Sequence, residues 1–391
     1  MHTIPIKASE VARLKKGYPW VYKHAIQGSK LPPVTPGECV YFVDEKKRPF
    51  AIGYYNPLTK LAGRILTLDH KTPINEDFFL NLFKKALAAR ERRFEAPFYR
   101  LVHAEGDGLP GLIIDRFGDT LVCQTNTAGM EQLKPFWLAA LQTLLSPSRV
   151  ICRDDTPLRE KEGLPLTITA PLGALDAHVA IEQQGITFFA DPTQGQKTGW
   201  FYDQRSNRHW LSLQAAGKTV LDLYTYSGGF GIAAASQGAT RVTLVDGSAS
   251  ALALATLAAK ANKLESLCTF VKANVFDLLP TLINEGQSFD IVIADPPAFV
   301  KQALQKGQGL RGYQKLAKLA SQVVAPGGLF FMASCSHHAS MTDFRQAVES
   351  GIAKAGRTAT FIRKAGADKD HPMHPLIPEN YYLKALAYTL E

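Results

Sequence analysis

The sequence lacks several features that would mark a membrane or a disulfide-stabilised protein. No stretch of the 391 residues approaches the roughly 18–20 consecutive apolar residues that a membrane-spanning helix requires. The amino-terminal stretch has no apolar core of signal-peptide length. The five cysteines are odd in number and far apart, with no C-x-x-C pair, which argues against a disulfide framework and a zinc site. We therefore expect a soluble protein of a reducing, cytoplasmic compartment.

The chain is basic overall, but its charge is unevenly distributed. The formal net charge is +9, with +6 in residues 1–70, −2 in residues 71–190 and +5 in residues 191–391. Basic modules at both ends favour a polyanion that contacts both of them, although general solubility charge would explain the same numbers. The length favours two or three domains. We divide the chain into 1–71, 72–190 and 191–391.

The third predicted domain is organised around a strand, a glycine turn, a helix, a second strand and an acid. The apolar run Thr219–Leu223 precedes a turn with three glycines, and the strand Arg241–Val245 ends on Asp246. This order is typical of the first unit of a doubly wound nucleotide-binding fold. The glycines depart from G-x-G-x-x-G, so the turn favours S-adenosylmethionine over a dinucleotide. The alternative is a glycine turn without a ligand.

Two further strand ends extend this predicted site. Asn274 follows the third strand, where a polar side chain can hydrogen-bond an adenine edge, and Asp277 is expected to cap a helix at Leu278–Leu282. Two prolines stop the fourth strand and fix a rigid corner that holds Asp295 and Phe299. The predicted cofactor-binding residues are Asp222, Tyr224, Ser227, Gly228, Gly229, Gly231, Asp246, Asn274, Val275 and Asp295.

A cysteine stands at the carboxyl end of the fifth predicted strand, Leu329–Ala333. Most cysteines of this kind are buried structural residues. Cys335, however, is flanked by serines and followed by two histidines, so its surroundings are polar. We therefore predict a functional thiol. The polar, glycine-bearing segment Gln302–Arg311 that precedes it is predicted to be a mobile loop.

The first 70 residues are predicted to form a small β-rich, barrel-like module. Its expected elements are strands Gly37–Val43, Phe50–Tyr55 and Ala62–Leu68 and a helix Ser9–Lys16 capped by Ser9. Basic and aromatic residues alternate around Trp20, which suits RNA because rings stack on bases and cations meet phosphates. The alternation would equally place one face in a core. The residues predicted to contact RNA are Lys15, Lys16, Trp20 and Lys23.

The middle of the chain mixes strands and helices and shows no catalytic constellation. His103, Glu105 and Asp107 are close together, but no other cluster completes a metal site, so we predict no metal. The arginines at the end of the predicted helix Phe78–Arg93 favour a solvated helix terminus. An RNA contact is the alternative for them.

The ordered motifs of the third domain resemble those of class I S-adenosylmethionine-dependent methyltransferases. More narrowly, the whole chain is similar to the large-subunit ribosomal RNA methyltransferase I family, which makes 5-methylcytosine in 23S RNA. The segments Gly17–Tyr22 and Gly53–Pro57 resemble that family's PUA domain, Glu105–Arg116 its central domain and Gly195–Arg205 the start of its catalytic domain. The methyltransferase motifs are Asp222–Gly231, Asp246, Asn274–Asp277, Asp295–Phe299 and Ser334–Ser336.

The resemblance implies a fold, a cofactor and a partner. The fold is α/β, a Rossmann-like class I methyltransferase domain preceded by a PUA-like barrel and an α+β central domain. The cofactor is S-adenosylmethionine, and the partner is 23S ribosomal RNA or a large-subunit assembly particle. A homodimer is also expected, since the β module and the open sheet leave surfaces for one. Three features depart from the pattern. Similar proteins often carry Asp at Asn274 and Lys at Ala298, and the pair His337 and His338 after the cysteine is not expected from it.

The chemistry implied is addition of a thiolate to carbon 6 of cytosine, which makes carbon 5 nucleophilic toward a methyl sulfonium. Cys335 is the candidate thiol, Asp295 the group that hydrogen-bonds the base, and Pro296 and Phe299 the residues that hold its ring. The base that removes the carbon 5 proton is not identified. Alternatives are methylation of a guanine nitrogen, a non-catalytic RNA-binding assembly factor and, more distantly, a nicotinamide oxidoreductase.

Overall fold

The computed structural model describes residues 1–28, 32–175 and 178–391. Its contacts divide the chain into two compact units, which are described separately below. The first unit comprises Met1–Val179, Asp191–Trp200 and Lys369–Pro378; the second comprises Ala180–Ala190, Phe201–Asp368 and Glu379–Glu391. The three-part division at residues 71 and 190 stays a prediction.

The amino-terminal part of the first unit is a five-stranded sheet. Its strands are β1 (His2–Pro5), β2 (Trp20–Tyr22), β3 (Glu38–Val43), β4 (Pro49–Tyr55) and β5 (Leu61–Thr67), in the spatial order β1-β3-β4-β5-β2. The three predicted strands match β3, β4 and β5 to within one residue. Gly53 allows β4 to approach β5, because a Cβ there would lie 2.0 Å from the carbonyl oxygen of Arg64. The expected β-rich module is confirmed.

The short helix of this module begins one residue earlier than predicted. Helix α1 spans Ala8–Lys15, and the capping position is Lys7, whose side chain makes no capping hydrogen bond. The prediction that Ser9 caps the helix is therefore wrong. Ser9 lies inside the first turn, because the extended backbone that follows β1 ends at Lys7.

A second five-stranded sheet and four helices complete the first unit's main body. Its strands are β6 (Phe98–His103), β7 (Leu112–Phe117), β8 (Thr120–Thr125), β9 (Arg149–Asp154) and β10 (Thr167–Leu172), in the order β10-β9-β8-β7-β6. The helices are α2 (Glu76–Glu91), α3 (Ala128–Gln132), α4 (Lys134–Leu145) and α5 (Leu158–Lys161). Helix α2 begins at Glu76 because the side chain of Asn75 caps it, accepting from the backbone N–H of Phe78.

Arg90, near the end of α2, is not the solvated side chain that the sequence favoured. It is 3% exposed and forms two hydrogen bonds of 2.7 and 2.6 Å with the carboxylate of Asp107. Asp107 therefore neutralises a buried guanidinium, and Glu105 accepts from the indole N–H of Trp20 at 2.9 Å. Across the described ranges no three His, Cys, Asp or Glu side chains are grouped so as to hold a metal ion.

A seven-stranded sheet forms the core of the second unit. Its strands are β13 (Thr219–Leu223), β14 (Arg241–Asp246), β15 (Cys268–Lys272), β16 (Phe289–Ala294), β17 (Val324–Ser334), β18 (Ala359–Ala365) and β19 (Lys384–Leu390). The order is β15-β14-β13-β16-β17-β19-β18, with the first five parallel and β19 antiparallel to both neighbours. The central strands are apolar and buried because a parallel sheet is covered on both faces. A two-stranded sheet of β11 (Val179–Gln183) and β12 (Ile186–Ala190) precedes it.

Six helices accompany this sheet, namely α6 (Arg205–Ser212), α7 (Gly229–Ser236), α8 (Ala249–Ala261), α9 (Val275–Asn284), α10 (Lys306–Gln322) and α11 (Met341–Lys354). The predicted mobile loop at Gln302–Arg311 is wrong, because α10 begins at Lys306. Two of its glycines serve packing: a Cβ at Gly309 would lie 2.4 Å from Val300, and one at Gly312 would lie 3.0 Å from Phe299.

Helix α9 is also longer than predicted and has a different cap. The side chain of Asn274 accepts from the backbone N–H of Phe276 at 2.8 Å, so Asn274 and not Asp277 caps the helix. Asp277 lies in the first turn, where a negative charge still favours the helix dipole. Within the described residues, no helix is both long and apolar enough to span a bilayer.

Candidate active site

Asp222, at the end of β13, is a fully buried carboxylate that organises the glycine turn. Its Oδ2 atom accepts from the Thr225 hydroxyl at 2.5 Å and from the Gly231 N–H at 2.8 Å. Burial raises the pKa of Asp222 to about 7, and the nearby Asp246 charge acts in the same direction. Its Oδ1 atom is buried and has no hydrogen-bond partner among the described residues. The acid therefore offers an acceptor to a ligand.

The turn after β13 is held in an unusual backbone conformation. Tyr224, Tyr226 and Gly228 have φ angles of 61°, 53° and 85°, in the left-handed region. A Cβ at Gly231 would lie 2.7 Å from Leu244 and 3.0 Å from Asp222 Oδ2, so this position requires glycine. Gly229 completes the turn at the start of α7, and the approach of this backbone to a cofactor stays a prediction.

Two more polar groups complete the edge beside this turn. Asp246 ends β14, and its two oxygens accept from the N–H groups of Tyr226 at 2.9 Å and Ser248 at 2.8 Å. The carboxylate is thereby fixed with lone pairs left for two ribose hydroxyls. The Ser227 hydroxyl is buried and, within the described residues, has no hydrogen-bond partner. Asp222 can accept from an ammonium group and Ser227 can donate to a carboxylate, which fits an amino-acid tail.

The residues that follow β15 offer fewer groups to a cofactor than the sequence predicted. Asn274 is exposed, and its side-chain oxygen already caps α9 through one lone pair. Val275 is 2% exposed and packs in the core behind it. The second lone pair and the amide N–H groups of Asn274 remain for an adenine edge, so this role stays a prediction.

The proline corner after β16 is fixed by a residue that the sequence did not reveal. Gln204 donates to Asp295 Oδ2 at 2.9 Å, and Asn207 of α6 donates to Gln204 at 2.7 Å. Pro296 is buried, and the ring of Phe299 lies 4.7 Å from that of Tyr313. Gln204 belongs to the segment Gly195–Arg205 that leads into α6, and it brings this segment into contact with the edge of the sheet.

Tyr313 of α10 joins the proline corner to the end of β17, which Cys335 directly follows. Its hydroxyl accepts a hydrogen bond from the Ser334 hydroxyl at 2.8 Å and lies 2.7 Å from the Ser336 hydroxyl oxygen. The backbone N–H of Phe299 also donates to Tyr313, at 3.3 Å. Cys335 itself is partly buried between the two serines. The structure therefore brings the predicted thiol and the proline corner to one edge of the sheet.

Lys384 is a buried cation beside the thiol that sequence reasoning missed. It pairs in register with Ser334 across β17 and β19, and it is 2% exposed. Its ammonium donates to the carbonyl oxygens of Ser336 at 2.8 Å and Tyr382 at 2.7 Å. Burial lowers the pKa of Lys384 to about 8, while its electrostatic interaction with Cys335 acts in the opposite direction. The carbonyls on either side fix the amine at the end of β17.

One of the two histidines after the cysteine now has a structural explanation. The His337 ring stacks on Tyr382 with ring centroids 5.3 Å apart, and its Nδ1 atom lies 3.4 Å from the carbonyl oxygen of Glu379. His337 thus covers the segment that leads into β19. His338 is exposed.

The residues predicted to contact RNA lie in the first unit. Lys16 and Lys23 are exposed, although Lys23 donates to the Pro57 carbonyl at 3.2 Å. The Lys15 ammonium lies 5.4 Å from the centre of the Phe50 ring. Trp20 is half-buried, and its N–H is bound to Glu105 at 2.9 Å, so only part of its ring faces solvent. Their contact with RNA stays a prediction.

Strand order and site together define the class I methyltransferase fold, with five parallel strands, an antiparallel strand inserted beside the fifth, and the acids and glycines at one edge. Residues 169–388 match the model of the S-adenosylmethionine-dependent methyltransferase family, and residues 4–68 match a PUA-like domain. S-adenosylmethionine is accordingly the cofactor that the residues of this edge fit.

Relatives with curated names extend over nearly the whole chain. Proteins from Photobacterium profundum (38% identical, covering 96% of each chain) and Shewanella amazonensis (36% identical, covering 98% of each) are both named ribosomal RNA large subunit methyltransferase I. The chain therefore belongs to the ribosomal RNA large subunit methyltransferase I family. A solved structure of a protein from Streptococcus mutans, 22% identical, shares the fold with a TM-score of 0.83 over the full length of both chains.

Proposed function

We propose that this chain methylates carbon 5 of a cytosine in large-subunit ribosomal RNA, through addition of Cys335 to carbon 6. The RNA class follows the names of the relatives. The observation that carries the cytosine assignment is the position of Cys335 at the cofactor edge, where Tyr313 joins its flanking serines to the Asp295 corner. A nitrogen-methylating enzyme has no use for a thiol at this place.

The cofactor-binding half of the mechanism uses the residues of the glycine turn. Asp246 would hydrogen-bond the ribose, Asp222 and Ser227 the amino-acid tail, and Asn274 the adenine. Tyr224, Gly228, Gly229 and Gly231 shape the backbone below the ligand. S-adenosylmethionine, when bound, supplies an electrophilic methyl group. These residues orient that group toward the base.

The base-binding half begins with the thiol. The Cys335 sulfur forms a bond to carbon 6, so carbon 5 gains the electron density it needs to attack the methyl group. After methyl transfer, water or another base takes the proton from carbon 5. The electron pair left behind re-forms the bond between carbons 5 and 6, and the carbon–sulfur bond breaks to release the Cys335 thiolate. Asp295, fixed by Gln204, would hydrogen-bond the amino group of the base. Pro296 and Phe299 would hold the ring in a flipped-out position.

Lys384 would place a positive charge next to the Cys335 thiol. Its ammonium is fixed by two carbonyls and interacts electrostatically with Cys335. A fixed cation favours the thiolate, which is the nucleophilic form of cysteine. With a pKa of about 8, the amine is protonated through most of the neutral range and loses its proton above it. Lys384 thus acts through Cys335 rather than on the base.

We expect Lys384→Met to slow alkylation of Cys335 by iodoacetamide about tenfold near neutral pH, and to move its pH profile upward, since the thiolate loses its cation. Peptide mass spectrometry measures the modification at Cys335 and, as an internal control, at Cys268. Lys384→Arg keeps the charge and is expected to retain most of the reactivity. An unchanged profile in Lys384→Met would show that the lysine only joins β17 to β19.

The PUA-like module would bind the RNA on either side of the target cytosine. Lys15, Lys16 and Lys23 would contact phosphates and Trp20 a base. We propose this module as a domain of residues 1–71, followed by a central domain to residue 190 and the catalytic domain to residue 391. A homodimer also stays a proposal.

The proposed function is tested by the identity of the methylated nucleoside. The wild-type protein is incubated with isotopically labelled S-adenosylmethionine and 23S RNA transcribed in vitro, and with large-subunit particles in parallel. Nucleosides are then separated by mass spectrometry. We expect label in 5-methylcytidine. Label in a methylated guanosine would overturn the cytosine assignment, and absence of transfer to both substrates would favour a non-catalytic assembly factor.

A further inference from the structure

One face of α10 presents a row of cations. Arg311, Lys315 and Lys318 are four and three residues apart, so they share one side of the helix, and all three are exposed. Residues 296–342 contain five lysines and arginines and no aspartate or glutamate. Of these cations Lys306 is paired with Asp343 of α11, at 2.7 Å. The α10 face formed by Arg311, Lys315 and Lys318 takes part in no ion pair among the described residues.

This face leads directly to the proposed base-binding residues. The Lys315 ammonium lies 5.1 Å from the centre of the Phe276 ring. The Phe276 ring is 6.1 Å from the Phe299 ring, which is in turn 4.7 Å from that of Tyr313. Gly312 permits this approach, because a Cβ there would meet Phe299 at 3.0 Å. A continuous series of contacts therefore links the cations to the neighbours of Cys335.

We propose that the α10 face binds successive phosphates of the RNA strand that carries the target base. The inference rests on the proposed function, which supplies the RNA. Arg311 and Lys318 are seven residues apart, about 10 Å along the helix axis, which exceeds the size of a single phosphate. Cations that take part in no ion pair among the described residues are available to attract a polyanion. The adjoining Phe276 and Phe299 rings favour a nucleic acid over an acidic protein, since they offer stacking surfaces to bases.

The test compares two triple variants of equal charge change. The first replaces the α10 face by Arg311→Gln, Lys315→Gln and Lys318→Gln. The control carries Arg241→Gln, Lys260→Gln and Lys263→Gln, which remove three exposed cations from the opposite, amino-terminal edge of the sheet. Affinity for a 23S RNA fragment is measured by fluorescence anisotropy from about 0.1 to about 1 M salt. Thermal unfolding and calorimetry with S-adenosylhomocysteine test whether each variant keeps its fold and its cofactor site.

We expect the α10 variant to bind RNA about 100-fold more weakly at 0.1 M salt and nearly as well as wild type near 1 M. Each lost phosphate contact lowers the slope of log K against log salt by about 0.7 for a single strand, so the slope should fall by about 2. The control variant should keep the wild-type slope. An equal loss in both variants, or an unchanged slope in the first, would overturn the proposal. RNA affinity is measured without reference to the methylated product. A methylguanosine product would therefore overturn the cytosine assignment but leave the proposal for the α10 face standing.

Discussion

Replacing Cys335 with alanine will abolish methyl transfer to cytosine while leaving cofactor binding close to wild type. The loss should be at least about 10³-fold in rate, because removal of a covalent nucleophile leaves only binding and electrostatic contributions. Cys335 lies at the end of β17, outside the glycine turn, so its side chain is not needed to hold the cofactor. Initial rates on RNA and calorimetry with S-adenosylhomocysteine measure the two properties separately.

Cys268→Ala is the matched control for this variant. Cys268 is also partly buried, but it begins β15 at the amino-terminal edge of the sheet. We expect wild-type activity from it. If Cys335→Ala retained its rate, the thiol would be structural and nitrogen methylation would become the better explanation. Loss of both activity and cofactor binding would instead point to collapse of the edge around Ser334 and Ser336.

Replacing Asp246 with alanine is expected to weaken binding of S-adenosylhomocysteine by roughly 100-fold. The carboxylate accepts from the N–H groups of Tyr226 and Ser248, and we assign it the ribose hydroxyls as well. Hydrogen bonds to charged groups are each worth roughly 1.5–3 kcal/mol, so losing the ribose contacts alone accounts for an effect of this size. Isothermal titration calorimetry provides the dissociation constants.

Asp277→Ala serves as the control for charge. Asp277 is an exposed acid in the first turn of α9, and Asn274 provides the cap of that helix. Its removal should change cofactor affinity less than threefold, given that surface charges of this kind contribute only modestly. Equal losses in the two variants would mean that the general negative potential of the edge, and not the position of Asp246, holds the cofactor.

Strands of the second unit could be predicted well because their signals are local. The predicted bounds of β13 agree with the structure, and β14 extends one residue beyond the predicted Arg241–Val245 to include Asp246. The start of helix α10 was predicted less well, because its glycines are needed for close packing and not for a loop. Gly309 and Gly312 indicated a loop to sequence reasoning, whereas in the structure they let α10 contact the proline corner.

The predicted site was incomplete because some of its residues carry no local sequence signal. Asp222, Asp246 and Cys335 each lie at or just after the end of a recognisable strand, so their common edge could be inferred. Lys384 could not, since a single lysine at the start of a late strand carries no local pattern. It reaches the thiol only because β19 is inserted antiparallel beside β17. Gln204 and Tyr313 were missed because their partners are distant in sequence.

The most direct test of the account is to trap the bond between Cys335 and the base. RNA that contains 5-fluorocytidine has no proton to lose at carbon 5 after methyl transfer, so the carbon–sulfur bond cannot break. We predict a covalent protein–RNA complex that requires S-adenosylmethionine, is absent in Cys335→Ala, and carries the nucleotide on the Cys335 peptide by mass spectrometry. Methyl transfer to cytosine without such a complex, or with the nucleotide attached to another residue, would contradict the account.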